Sequence, residues 1–181
     1  MDLWHDLKPG STQAVNVIVE IPRGSQNKYE YDKTNKVFKL DRVLFSPLHY
    51  PGDYGFIPRT LGEDDDPMDA LVLVSHHTFP GVLIQSKPIG LLRMVDGGKR
   101  DDKILCVPAH DIRFQHIRDV KQLSKAALNE ISHFFQVYKQ LEKKNVKIVG
   151  WKGRTDAVKS LKSSVERYKK KFCNESKNKR K

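Results

Sequence analysis

Two hydrophobic periods divide this chain. From Ala14 to Pro22, Val15, Val17, Val19 and Ile21 alternate with Asn16, Ile18 and Glu20, the period of a half-buried strand with Glu20 on its second face. Lys28 to Asp32 sets Lys28, Glu30 and Asp32 on one face and Tyr29 and Tyr31 on the other. A turn at Lys33 to Lys36 leads into Val37 to Leu44, where Arg42 shares a face with Phe38, Leu40 and Leu44. Further apolar runs at Ala70 to Val74, Val82 to Ile84, Ile89 to Val95 and Ile104 to Val107 are each bounded by Gly, Pro or charge. Short strands with no helix between them predict a closed or nearly closed barrel.

After residue 120 the period lengthens. Ala127, Leu128, Ile131, Phe134, Phe135, Tyr138 and Leu141 recur at three and four, predicting an amphipathic helix from Leu123 to Lys144 with Ser124 as N-cap. A second helix is predicted after Thr155, with Val158, Leu161, Val165, Tyr168 and Phe172 on one face. Strands first and helices after make the expected class α+β, with two main C-terminal helices packed outside the barrel. No repeat or linker divides the chain, so residues 1–172 read as a single domain and 173–181 as a basic, disordered tail.

Charge changes the picture only at that end. The net charge is +11, but residues 1–138 carry 17 Lys and Arg against 18 Asp and Glu, while residues 139–181 carry 16 against 4. The basic character therefore belongs to the C-terminal part, whose last segment lacks interleaved aromatics for base stacking, and nucleic acid is not the expected partner. The chain has no apolar run of a membrane span and no signal-peptide start, so the expected location is the cytoplasm. Cys106, inside an apolar run, reads as a core residue, and two cysteines frame neither a disulfide scaffold nor a zinc site.

The chemistry concentrates in Glu63 to Asp69, where five carboxylates fall within seven residues. Like charges this close oppose one another's ionisation unless water or cations take up the charge, and all-oxygen donors select hard divalent ions. The run alone does not separate a metal site from a solvated acidic loop. An EF-hand is excluded: counting from Asp64, the sixth position is Asp69 instead of glycine, and the twelfth is Ser75 instead of glutamate. Around the run stand Lys28, Glu30 and Arg42 on facing strands, where a barrel would hold apolar residues, and Tyr50 and Tyr54 in a turn-rich stretch. Those tyrosines read equally as packing groups or as hydroxyl donors. A second loop adds Asp96, Asp101, Asp102 and Lys103.

In combination, Asp64-Asp-Asp-Pro-Met-Asp-Ala70 resembles the Asp-x-Asp-Pro-hydrophobic-Asp-hydrophobic signature of the soluble, family I inorganic pyrophosphatases, prokaryotic type. Glu20-Ile-Pro22, Lys28-Tyr-Glu30, Asp41-Arg42, Tyr50-Pro-x-x-Tyr54-Gly, Asp96 with Asp101-x-Lys103, and His133-Phe-Phe-x-x-Tyr138-Lys139 stand in that family's order, from about residue 9 to 172. The resemblance implies a five-stranded OB-like barrel flanked by helices, in a homohexamer that hydrolyses pyrophosphate to two phosphates with Mg²⁺, or Mn²⁺ in its place. Carried over residue by residue, it makes Asp64, Asp69 and Asp101 ligands of the tighter metal, with Asp69 shared with a second. Asp96 and Asp101 would help hold a further metal arriving with substrate, and Glu20 and Glu30 would act through metal-bound water or an additional metal. A metal-bound hydroxide would be the nucleophile and Asp66 its proton acceptor. Lys28, Arg42, Tyr54, Lys103, Tyr138 and Lys139 would hold phosphate oxygens, and Tyr50 would belong to the same wall.

Two positions depart from the family pattern. Gly97-Gly98 follows Asp96 where some members carry a second carboxylate, and Asp65 stands where bacterial members often have glycine.

Overall fold

In a computed structural model that describes residues 1–173, the chain forms β1 (Val15–Ile21), β2 (Asn27–Asp32), β3 (Val37–Val43), β4 (Asp53–Phe56), β5 (Asp69–Val72), β6 (Leu83–Asp96), β7 (Lys99–Arg100) and β8 (Lys103–Pro108). Then come α1 (Lys125–Val137), β9 (Val146–Gly153) and α2 (Arg154–Tyr168). Five strands close a ring. β1 pairs antiparallel with β4 and β4 with β5; β5 runs parallel to β8, and β8 returns through β6 to β1. The α+β class, with a five-stranded ring and two C-terminal helices, is as expected.

Four details differ from the sequence reading. The β2–β3 hairpin lies outside the ring as its own two-stranded sheet, so Lys28, Glu30 and Arg42 do not project into a barrel interior. The runs Val82 to Ile84 and Ile89 to Val95 merge into the single strand β6, which passes through Pro88 with a register shift. α1 stops at Val137; a 3₁₀ turn follows at Gln140–Glu142, closed by Lys143 in the left-handed region at φ 58°. Leu141, which extended the apparent period, is 62% exposed. Finally, β9 stands between the helices and pairs antiparallel with β6, its alternation broken where Val149 bulges between Ile148, opposite Met94, and Gly150, opposite Arg93.

Packing follows from these faces. α1, capped by the Ser124 hydroxyl accepting the Ala127 N–H at 3.1 Å, buries Ile131, Phe134 and Phe135 in a core that includes Leu92, Met94 and Leu105. α2 lays Ala157 and Leu161 among Leu91, Ile104 and Cys106. Each Leu, Ile, Phe or Met side chain among them contributes roughly 1.5–3 kcal/mol when taken from water. Cys106 is fully buried, which pushes its thiol pKa far up, so it serves packing only. Trp4 closes a third cluster, its ring 5.3 Å from Phe172 and its indole N–H donating to the Thr60 carbonyl at 2.9 Å. The expected disordered tail lies, from residue 174 onward, outside the described residues; Cys173 ends a helical turn continuing α2.

Candidate active site

Between the β2–β3 hairpin and the ring opens a cavity of about 630 Å³ whose walls are strand ends. β1 contributes Glu20, β4 contributes Tyr54, and the start of β5 contributes Asp69. The end of β6 brings Asp96, the start of β8 Lys103 with Asp101 just before it, and the turn after α1 Tyr138 and Lys139. The hairpin supplies Lys28 and Glu30, and the acidic loop Asp64 and Asp66. Twelve of the fourteen expected site residues, all but Tyr50 and Arg42, thus line one space.

Tyr50 is 2% exposed and stands one layer behind, its ring 5.5 Å from Tyr54 and 4.8 Å from Phe134. Arg42 pairs across the hairpin with Lys28 but turns its guanidinium to Glu142 at 2.8 Å and to Asp41. One of its terminal nitrogens, buried, has no hydrogen-bond partner among the described residues.

Local structure explains the gathering. Parallel pairing of Ala70 with Ile104 sets the first residues of β5 and β8 side by side, so Asp69 meets Lys103. Lys103 is 3% exposed and bridges Asp69 and Asp101. Burial alone would lower its ammonium pKa, but the two carboxylates raise it well above the ordinary value and keep it charged. Gly55 lets β4 approach β1: a Cβ there would sit 1.9 Å from the Ile18 carbonyl oxygen. Gly97 and Gly98, both at positive φ, make the two-residue turn between Asp96 and Lys99. That backbone favours glycine at both positions. In the acidic loop Asp64 accepts the Asp66 N–H at 3.2 Å, and Asp65 takes the left-handed conformation at φ 73°, which glycine adopts more readily. Glu63 and Asp65 are exposed, Glu63 lying 3.5 Å from Arg100 and Asp65 2.6 Å from Lys171.

The electrostatics are those of crowded acids held by cations. Burial, reinforced by Asp69 and Glu30, pushes Glu20 up to about 8, although its carboxylate accepts the Tyr31 N–H at 2.7 Å. Burial also raises Asp64 and Asp69, with Asp101 adding to both. Lys28 pairs with Glu30 and lies 3.2 Å from Asp41, Lys139 pairs with Asp96, and Lys33 pairs with Asp66. Tyr54 and Tyr138 are raised by burial and so remain protonated donors at neutral pH.

Sequence reasoning missed Lys33, which lies in the hairpin turn and has no periodic partner to mark it. It also missed Arg100, which holds the nearly buried Asp102 at 2.6 Å and tethers Glu63. Among the described residues no three carboxylates or imidazoles gather closely enough to cage an ion, because lysine ammoniums stand between them. The donor set still fits a hard divalent cation: it is oxygen throughout, its acids raise one another's pKa, and Asp69 and Asp101 already share one cationic group.

Comparison with known proteins gives one answer. The family model described as inorganic pyrophosphatase matches residues 17–169. The inorganic pyrophosphatase of Synechocystis sp. is 50% identical over 155 residues, covering 86% of this chain and 92% of that protein. That of Methanosarcina acetivorans is 51% identical over 156 residues, covering 86% and 93%. The crystal structure of inorganic pyrophosphatase from Thermus thermophilus superposes with a TM-score of 0.90 at 43% identity, covering 93% of this chain and 99% of that one.

Proposed function

Because this chain belongs to the inorganic pyrophosphatase family of hydrolases, we propose that the cavity beneath the hairpin hydrolyses pyrophosphate to two phosphates by a metal-dependent route with Asp66 as proton acceptor. The observation that carries the reading is that acids and lysine ammoniums from the hairpin, the strand ends and the acidic loop line one cavity. Asp64, Asp69 and Asp101 would hold the tighter cation, with Asp69 shared; Asp96 would join Asp101 in holding a further one, and Glu20 and Glu30 would act through water. Mg²⁺, or Mn²⁺ in its place, supplies neutralisation of the anion and acidification of water when bound.

The chain's own groups do the rest. Asp66 is exposed on the loop and accepts the proton of the attacking water while Lys33 holds its carboxylate in place. As the water oxygen bonds to phosphorus, the bond from phosphorus to the bridging oxygen breaks, and charge spreads over the phosphate oxygens. Lys28, Lys103 and Lys139 face that charge, and the neutral phenols of Tyr54 and Tyr138 donate to it without adding charge of their own. Tyr50 supports this wall by packing behind Tyr54, whereas Arg42 would reach a phosphate oxygen from the hairpin only by leaving Glu142 and Asp41. The same family membership supports a homohexamer acting in the cytoplasm; among the described residues no helix is long and apolar enough to cross a membrane.

Mixing the purified chain with pyrophosphate and Mg²⁺ tests this reading. Release of two phosphates per pyrophosphate consumed is expected; release no faster than in the metal-only control contradicts it.

A further inference from the structure

On the flank of the ring, where β6 sets out and α2 begins, Lys87, Arg118 and Arg154 surround a cavity of about 300 Å³. Pro88, Ile89 and Ile117 form an apolar lining and Gln13 stands at the edge. Lys87 and Asp96 lie nine residues apart on one strand, about 30 Å along it, so this cavity is remote from the hairpin cavity.

The three cations share one property: among the described residues none is within ion-pair distance of a carboxylate. Lys87 donates to the Phe114 carbonyl at 3.2 Å, and the Arg154 guanidinium to the Thr12 carbonyl at 3.3 Å. Asp119, beside Arg118 in sequence, turns its oxygens to the backbone N–H groups of Arg154 at 2.8 Å and Lys121 at 3.1 Å. It caps α2, and its charge acts on Arg154 from beyond ion-pair distance of the guanidinium. Burial, and then the Arg118 charge, push the Lys87 ammonium below its ordinary pKa. In the hairpin cavity, by contrast, Lys28, Lys103 and Lys139 each face an acid. Three cations around one cavity with no carboxylate at ion-pair distance among the described residues repel one another, and an anion in their midst lowers that cost.

We propose that this cavity is a second anion site, which binds the phosphate group of a small phosphorylated molecule outside the active cavity. Two guanidiniums and an ammonium offer the forked and point-like donors that suit tetrahedral phosphate oxygens. Its volume is at the small end of ligand pockets, and the apolar lining gives an attached organic group a surface to cover. Inorganic phosphate and a phosphate ester share this chemistry, and the site does not depend on how the hairpin cavity works.

The test is a titration of the full chain, chelator-treated and labelled with ¹⁵N, with orthophosphate in one arm and AMP in the other. Shifts of the Lys87, Ile117 and Arg118 amides are expected, following their own binding curve and separate from those at Tyr54 and Lys103. Arg118→Ala and Lys87→Met should each weaken that curve at least tenfold, with phosphate release from pyrophosphate unchanged. Tighter binding of AMP identifies the ester as the ligand class, and equal binding identifies free phosphate. Should Lys87→Met fail to fold, Arg118→Ala decides alone, since Arg118 is exposed. No shift at these amides in either arm, or an unchanged curve in the variants, overturns the proposal.

Discussion

Glu20 shows how a single residue carries both the cost and the use of the site. Its carboxyl is raised to about 8, mainly by burial, against an ordinary value near 4.3. Because the folded-state pKa is the higher one, the folded chain binds more protons than the unfolded chain between those values. Stability is therefore fully present below the ordinary value and is lost as pH rises toward 8. Urea denaturation of chelator-treated protein from pH 5 to 8 should show this decline, and Glu20→Gln should flatten it; a variant with the wild-type slope would assign the effect elsewhere. The charged site residues were legible in the sequence because Glu20, Lys28, Glu30 and Lys103 sit on or beside strands, where charge demands a reason. Lys33 on Asp66 and Arg100 on Asp102 were not legible, since those contacts join segments far apart or lie in a turn without period.

Elements were readable where one period persists. β1 and the Ser124 cap of α1 follow directly from alternation and from a hydroxyl preceding an apolar period. β9 escaped because Gly150, at φ 134°, interrupts its alternation at the bulge against β6. The end of α1 escaped because neither Gly nor Pro marks it, and Leu141 extended the period while pointing to solvent. The hairpin's place outside the ring follows from tertiary packing, which alternation alone does not encode. Gly55 is the element-scale test. Gly55→Ala would drive a methyl to 1.9 Å from the Ile18 carbonyl oxygen and part β4 from β1, so a loss of about 3 kcal/mol or more is expected in urea unfolding. An unfolding midpoint like that of the wild type would show that the strands separate freely.

For the whole molecule, charge and chemistry occupy different places. The first 138 residues are nearly neutral, and the excess of cations lies in the C-terminal part. Chemistry confined to the hairpin cavity predicts that a chain ending at Phe172 keeps its turnover, and the proposed homohexamer predicts six chain masses in sedimentation velocity on the same sample. A monomer would contradict the assembly, and lost turnover would give the terminal residues a catalytic part. The most direct test compares initial phosphate release by the wild-type chain and by Asp66→Asn in Mg²⁺, with metal binding measured on the same preparations. The wild type is expected to turn over pyrophosphate, and the variant to be slower by about 10²–10⁴ while binding its first metal with unchanged affinity. Full activity in the variant, or metal binding that collapses with it, would contradict Asp66 as the proton acceptor of this site.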